Sequence, residues 1–311
     1  MAWREPLFLT NDDGIEAPGL HRLIQMLHRR GHPLAVLAPA EEQSASSMRL
    51  SLNNELKYSN RNDLVQTLNL DPEGPPIQIS SLEGTPCDCV IVAIDQGFES
   101  WAGVIRPRMC VSGINHGPNL SIDVVHSGTV SAAREAALYG LPAIAVSLGT
   151  YLHEDYSIGT EAILSLIDRA LSVASEEPTN LMRTRGSHHC PWSDENMEMD
   201  VRIREAFRNG DLILNLNTPH EWSGLIETVP LGARWYHGAT TPSSDETGYI
   251  VGAASIEDEP IARTDCSSIM AGNVTISPLP TWPQTHPLNV PDSIIQSALT
   301  EDEDGFPSWL C

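Results

Sequence analysis

Basic residues are scarce in this sequence: 18 lysines and arginines stand against 41 aspartates and glutamates, a formal charge of -23. Such a surface disfavours non-specific binding to nucleic acid or to anionic lipid. It also repels small anions, so any anion site needs its own concentrated positive source. No window approaches the roughly 20 apolar residues that span a bilayer. The opening MAWREPLFLTNDD has no long apolar stretch and no small-residue cleavage site. A cytoplasmic location without a membrane partner is expected. The cysteines, Cys87, Cys89, Cys110, Cys190, Cys266 and Cys311, are scattered, and a disulfide framework is unusual in so long a chain, which favours reduced thiols. There is no G-x-x-x-x-G-K-[ST] run and no G-x-S-x-G elbow, which argues against a P-loop NTPase and an α/β-hydrolase. GIEAPG lacks the dinucleotide spacing. TPCDCV has one residue between its cysteines, where zinc pairs usually have two to four. No internal repeat is evident.

What the chain has is a recurrent alternation. PLFLT reads as a short buried strand ending at Thr10. Leu20, Leu23, Ile24 and Leu27 then fall on one helical face. Arg29 and Arg30 suit the carbonyl end of that helix and Gly31 is placed to stop it. PLAVLAP is a second strand, and strand, helix and strand in so short a span make a βαβ unit with a parallel sheet. CDCVIVAID and GVIRPRMCVSGIN repeat the pattern, each an apolar stretch ending in polar loop residues. GTVSAAREAALYG reads as helix closed by Gly140, PAIAVSLG as strand, SIGTEAILSLIDRALSVAS as helix with Ile163, Leu166, Ile167 and Leu171 on one face, and DLILNLNTP as strand. The expected fold is α/β, a Rossmann-like doubly wound and mostly parallel sheet.

Residues 176–200 show neither periodicity and read as a surface insertion. Residues 221–285 are strand-like with frequent Gly and Pro, suggesting hairpins. Residues 286–311 carry an acidic run that reads most simply as a solvated tail. One domain over 1–285, with its α/β core over about 6–220, is therefore expected.

In open α/β sheets ligands bind beyond the carboxyl ends of the strands. The polar residues there are Asn11, Asp12, Asp13 and Gly14 after the first strand, and Ser44 and Ser46 after the second. Ser112, Gly113, Asn115, Gly117 and Asn119 follow the next buried strand, and Ser127, Gly128 and Thr129 open a helix. Two adjacent carboxylates repel each other and need a compensating charge. Joined by a hydroxyl and an amide carbonyl they suit Mg²⁺ or Mn²⁺, whereas zinc would ask for His or Cys. The helix start offers free N–H groups, hydroxyls and the positive end of the dipole to an anion. A cation and a helix start on one rim make a phosphate site.

Each loop has a bland reading. Asp-Asp after a strand is often a cap or turn, Ser-Gly-Thr an N-cap, a Gly-Asn loop a turn. Four such loops at successive strand ends exceed what capping requires. His188 and His189 read as solvated residues of the insertion. His116 and His126 flank the rim and read as pocket-lining or surface residues rather than as the general acid, though His126 is the first to test in that role.

TNDDGIEAPGL, APAEEQSASS, EGTPCDCV, VSGINHGPNL, HSGTVSAAREAALYGLPAIAVS, LILNLNTP and TDCSSIMAGNVTISPL together resemble the SurE family, the stationary-phase survival proteins. The resemblance runs over roughly residues 6 to 280. It implies a metal-dependent 5′/3′-nucleotidase holding one Mg²⁺ or Mn²⁺ per subunit on Asp12, Asp13, Ser44 and Asn115. It also implies nucleoside monophosphate substrates, with short polyphosphate for some members, and a homodimer or homotetramer built partly by exchanging C-terminal segments. The sequence departs from the family at Ser121, His126, Ala136 and SASSMRLSL, none of which removes a proposed ligand.

The expected chemistry is phosphomonoester hydrolysis. Asp12 and Asp13 are the catalytic pair, with Asp12 the first choice for the water's proton, and Asn11, Asn119, Ser127, Gly128 and Thr129 hold the phosphate. The rivals are a non-catalytic nucleotide-binding module, a phosphatase preferring polyphosphate or another ester, and an aspartyl-phosphate enzyme, whose aspartates would stand two apart rather than adjacent.

Overall fold

The structure, a computed structural model, describes residues 3–178, 181–244, 247–252 and 254–311. Strand β1 (Leu7–Thr10) is buried along its length. Leu7 and Leu9 enter one apolar layer and Phe8 the other, the alternation of a strand covered on both faces. Helix α1 (Pro18–Arg29) starts on a proline whose fixed φ suits a first turn, and buries Leu20, Leu23, Ile24 and Leu27. Strand β2 (Leu34–Pro39) pairs with β1 in parallel. Strand β3 (Tyr58–Asn60) and helix α2 (Asp63–Thr67) lead to β4 (Ile77–Leu82), which is parallel to β2 and antiparallel to β3.

CDCVIVAID departs from expectation. It forms helix α3 (Pro86–Asp95), started by a capping box in which Thr85 accepts from the Asp88 N–H and the Asp88 carboxylate accepts from the Thr85 N–H. A short apolar run buried on most sides reads alike as strand or helix; the cap decided it. Helix α4 (Phe98–Ala102) follows, then β5 (Met109–His116). Ser112, Gly113 and Asn115, expected in the loop after β5, lie within the strand. Helix α5 (Asp123–His126), helix α6 (Gly128–Leu138) and strand β6 (Ala143–Leu148) come next. The β5–β6 register shifts between Ser112 and Asn115, an irregularity of the kind that re-aims a strand's side chains. Gly113 there has φ 137°, and a Cβ on it would stand 2.2 Å from the Val146 carbonyl oxygen.

Helix α7 (Thr160–Val173) buries Ile163, Leu166, Ile167 and Leu171. Helix α8 (Met199–Arg208) and strand β7 (Leu212–Thr218) complete the alternation. Strand β8 (Ile226–Thr228) precedes two small antiparallel pairs. In these, β9 (Arg234–His237) pairs with β12 (Ser255–Asp258), and β10 (Thr240–Pro242) pairs with β11 (Tyr249–Val251). They form a nested ribbon. Helix α9 (Asp265–Met270), strand β13 (Val274–Pro280) and helix α10 (Asp292–Ala298) end the series.

The central sheet has nine strands in the order β3-β4-β2-β1-β5-β6-β7-β13-β8. Its inner six are mutually parallel, and β13 runs antiparallel to β7. From β1 the chain winds outward to β2 and β4, then returns to wind the other way through β5, β6 and β7. The switch lies between β1 and β5, where such sheets open a crevice. The fold is α/β and mostly parallel.

The C-terminal stretch is not a solvated tail. Leu288, Val290, Ile294, Phe306 and Trp309 join the larger apolar layer, and Trp309 is wholly buried against Phe207. The acidic run is paired: Asp302 and Asp304 bond Arg169, which also lies 4.5 Å over the Phe306 ring, and Glu301 bonds Arg263. Aromatic burial outweighs the solvation of a few carboxylates that find cations.

The segment before α8 lies on the surface, with His188 and His189 exposed, yet it is pinned. Buried Asp211 accepts from the indole N–H of Trp192 and Trp282 and from Arg183. Residues 179 and 180 of the expected insertion lie outside the described residues. Five cysteines are buried, Cys311 is exposed, and none is in a disulfide. Among the described residues no helix is long and apolar enough to cross a membrane.

Candidate active site

Asp12 and Asp13 follow β1 directly, at the switch point. Asp12 is 3 % exposed. The Thr129 hydroxyl donates to its Oδ1, and the same hydroxyl lies 3.3 Å from Asn115 Oδ1. Burial pushes the Asp12 carboxyl above the ordinary range, while the Thr129 hydroxyl and the N–H groups of Thr129 and Gly128 pull it back. The group that the start of α6 addresses is therefore the Asp12 carboxyl itself. Gly128 permits this approach: a Cβ there would stand 2.7 Å from Asp12 Cβ and 2.6 Å from Ser46 Oγ.

Asp13 accepts the His116 backbone N–H at 2.9 Å. Burial, then the neighbouring Asp12 charge, push its pKa up to about 7; the His116 N–H opposes this, and Glu42 and Glu154 add to it. Both carboxylates are held from behind by donors.

The two line a cavity of about 720 Å³ together with Ser44, Asn115, His116, Asn119, His126 and Ser127. Its lining includes the carboxylates of Asp12, Asp13, Glu42, Asp123 and Glu154 and, among the described residues, no lysine or arginine. Asp123 is neutralised from behind by Arg234 at 2.9 Å, which also pairs with Asp258. Among the described residues the other four carboxylates have hydrogen-bond donors or solvent but no lysine or arginine paired with them. Among the described residues no three His, Cys, Asp or Glu side chains are placed to hold a metal. The candidate set instead combines two carboxylates with the Ser44 hydroxyl and the Asn115 carbonyl. All four line one cavity, and such oxygen donors fit a hard divalent cation.

The expected phosphate ligands divide. Ser127 lines the cavity, and its Oγ accepts from the Val130 N–H, which leaves its own proton to donate. Asn119 lines it too. Its backbone is fixed by Asn215 and Asn217, and its Nδ2 donates to Ser147 Oγ. Asn11, Gly128 and Thr129 do not line the cavity. The Asn11 amide donates to the Gly14 carbonyl and fixes the turn, while the N–H groups of Gly128 and Thr129 and the Thr129 hydroxyl serve Asp12. Ser112 is buried inside β5, with its Oγ unpartnered.

The sequence reading missed the aromatic and acidic sides of the cavity. Tyr151, Glu154 and Tyr156 come from the loop after β6, where the strand-end rule applies and should have found them. Tyr236, Ala239, Val251 and Gly252 come from the ribbon, and nothing local in the sequence announces them. The His116 ring packs edge-on against Tyr151 and Tyr156, with centroids at 5.9 and 6.4 Å.

A sequence model described as survival protein SurE matches residues 7–237. A protein from Xanthomonas campestris pv. campestris called 5′-nucleotidase SurE is 31% identical over 279 residues, covering 88% of each chain. One of the same name from Xanthomonas axonopodis pv. citri is 30% identical over the same span. Among solved structures, the SurE protein from Aquifex aeolicus shares the fold at a TM-score of 0.61. It is 21% identical, and the match covers 90% of this chain and 95% of that one.

Proposed function

The chain belongs to the SurE family, and from that premise we propose that it is a metal-dependent phosphomonoesterase. It hydrolyses nucleoside 5′-monophosphates, and by the same chemistry 3′-monophosphates, to nucleoside and phosphate. Relatives named as 5′-nucleotidases support the reaction class. The observation that carries the reading is the pair Asp12–Asp13, gripped from behind by donors, in a cavity lined with carboxylates and no basic side chain among the described residues.

Asp12, Asp13, Ser44 and Asn115 would hold Mg²⁺ or Mn²⁺. When bound, such an ion supplies charge neutralisation and Lewis acidity toward a phosphoryl oxygen and a water. The protein's own part is positional. Asp12 is engaged by the Thr129 hydroxyl and by the N–H groups of Thr129 and Gly128, so it suits a fixed ligand better than the proton acceptor first chosen for it. Asp13, with one backbone donor, is the freer carboxylate and the better proton acceptor. Ser127 donates its hydroxyl proton to phosphate. Asn119 does so with its amide turned over, because the Ser147 hydroxyl can donate to Oδ1 as readily as it accepts from Nδ2. His126, exposed on the cavity side, can protonate a leaving oxygen.

The family's C-terminal exchange supports a homodimer or homotetramer, with the ribbon as the contact. Phosphate release from AMP and GMP, with Mg²⁺ or Mn²⁺ and with chelator, tests the function. Turnover that is lost with chelator and in Asp13→Ala, with the fold retained, is expected. Near wild-type turnover by Asp13→Ala would refute the assignment, and nucleotide binding without release would leave a binding module.

A further inference from the structure

Of the carboxylates lining the cavity, Asp12 and Asp13 belong to the candidate cation set and Asp123 is paired with Arg234. Glu42 and Glu154 remain. Both are exposed, and neither has a basic partner among the described residues. The Ser44 hydroxyl donates to Glu42 at 2.7 Å, so that charge is anchored to a residue of the site. The nearby Arg49 turns away, bonding Gln43 and lining a separate small cavity with Glu41 and Glu83.

We infer that Glu42 and Glu154 act as a charge filter. The site accepts a phosphomonoester whose remainder is uncharged, a nucleoside above all, and turns away substrates that carry further phosphates, such as nucleoside bisphosphates and inorganic polyphosphate. The inference rests on the phosphomonoesterase reading of the site. A divalent ion at the site would balance two carboxylates and take up one phosphate, but any additional phosphate in the same cavity meets two exposed glutamates and, among the described residues, no lysine or arginine. Like charges at short range in a cleft repel strongly, and salt screens them because both glutamates are solvated.

The test compares AMP with adenosine 3′,5′-bisphosphate, which differs by one phosphate on the same nucleoside, and with tripolyphosphate. The metal is kept just sufficient to fill the site. Wild type is expected to prefer AMP in kcat/KM. Glu42→Gln and Glu154→Gln should each raise the bisphosphate-to-AMP ratio by about threefold to tenfold. Roughly 1 M NaCl should do the same for wild type and little for the double variant. Glu154→Gln keeps the test clear of any effect of Glu42 on Ser44. Equal handling of AMP and the bisphosphate by wild type would overturn the filter, as would a ratio unmoved by the double variant. Absence of phosphate release from AMP itself would sink the nucleotidase reading instead. Calorimetric affinities for AMP and the bisphosphate with Mg²⁺ then decide the filter: the same inequality and the same response to substitution uphold it. Equal affinities, or no binding of either, overturn it.

Discussion

Thr129 donates its hydroxyl to Asp12 from the first turn of α6, while the N–H groups of Gly128 and Thr129 converge on the same carboxylate. A helix start that looked like the seat for a ligand's phosphate thus spends its donors on the protein's own acid. That acid is fixed in one orientation before any ligand arrives, which is what a precise cation site requires.

Thr129→Val keeps the shape and removes the donor. Loss of a hydrogen bond to a charged group costs about 1.5–3 kcal/mol, so kcat/KM for AMP should fall roughly tenfold to a hundredfold. Thr129→Ser should recover most of it. Steady-state kinetics alongside a metal titration will read the difference.

Gly128→Ala places a methyl group 2.7 Å from Asp12 Cβ and 2.8 Å from its Oδ2. Backbone or carboxylate has to move. Metal affinity and turnover should drop sharply while circular dichroism keeps its α/β signature; unchanged metal affinity would contradict the packing described.

Glu135 on α6 is buried, and burial, with the Asp88 charge, pushes its pKa up to about 7. An acid raised in the folded state holds a proton that the unfolded chain has released. Stability therefore falls as pH rises from the unfolded value, near 4.5, through 7, and the full penalty applies above that. Glu135→Gln should raise Tm by a few degrees at pH 8 and hardly at all at pH 5. Equal shifts at both pH values would exclude this origin.

Trp309→Ala empties a fully buried site against Phe207. A loss of about 3–5 kcal/mol is expected, seen as a lower denaturant midpoint and as faster proteolysis of the last residues. A genuinely solvated tail would give no change.

Arg183 bonds the Leu138, Ala137 and Asn209 carbonyls and pairs with buried Asp211. Arg183→Ala leaves that carboxylate with two indole donors and no cation, at a cost of about 3 kcal/mol. Asp211→Asn in the same background should return part of it, which thermal melts of the two variants will measure.

The sequence by itself determined strands β1, β2, β5, β6 and β7, helices α1, α6 and α7, and the rim where Asp12, Asp13, Ser44 and Asn115 meet, while strand β4 and the helical state of α3 went unread. Hydrophobic period is local, and strand ends in such sheets collect ligands by geometry common to the class. It could also have told α3 from a strand, since Thr85-Pro86-Cys87-Asp88 spells a capping box. Only tertiary structure decided that the donors of Gly128 and Thr129 turn to Asp12, that the ribbon brings Tyr236 and Val251 to the cavity, and that Trp309 returns to the core. Each depends on groups more than a hundred residues apart in the chain or on elements from both ends of it, and no local pattern encodes which distant surface completes a burial or a hydrogen bond.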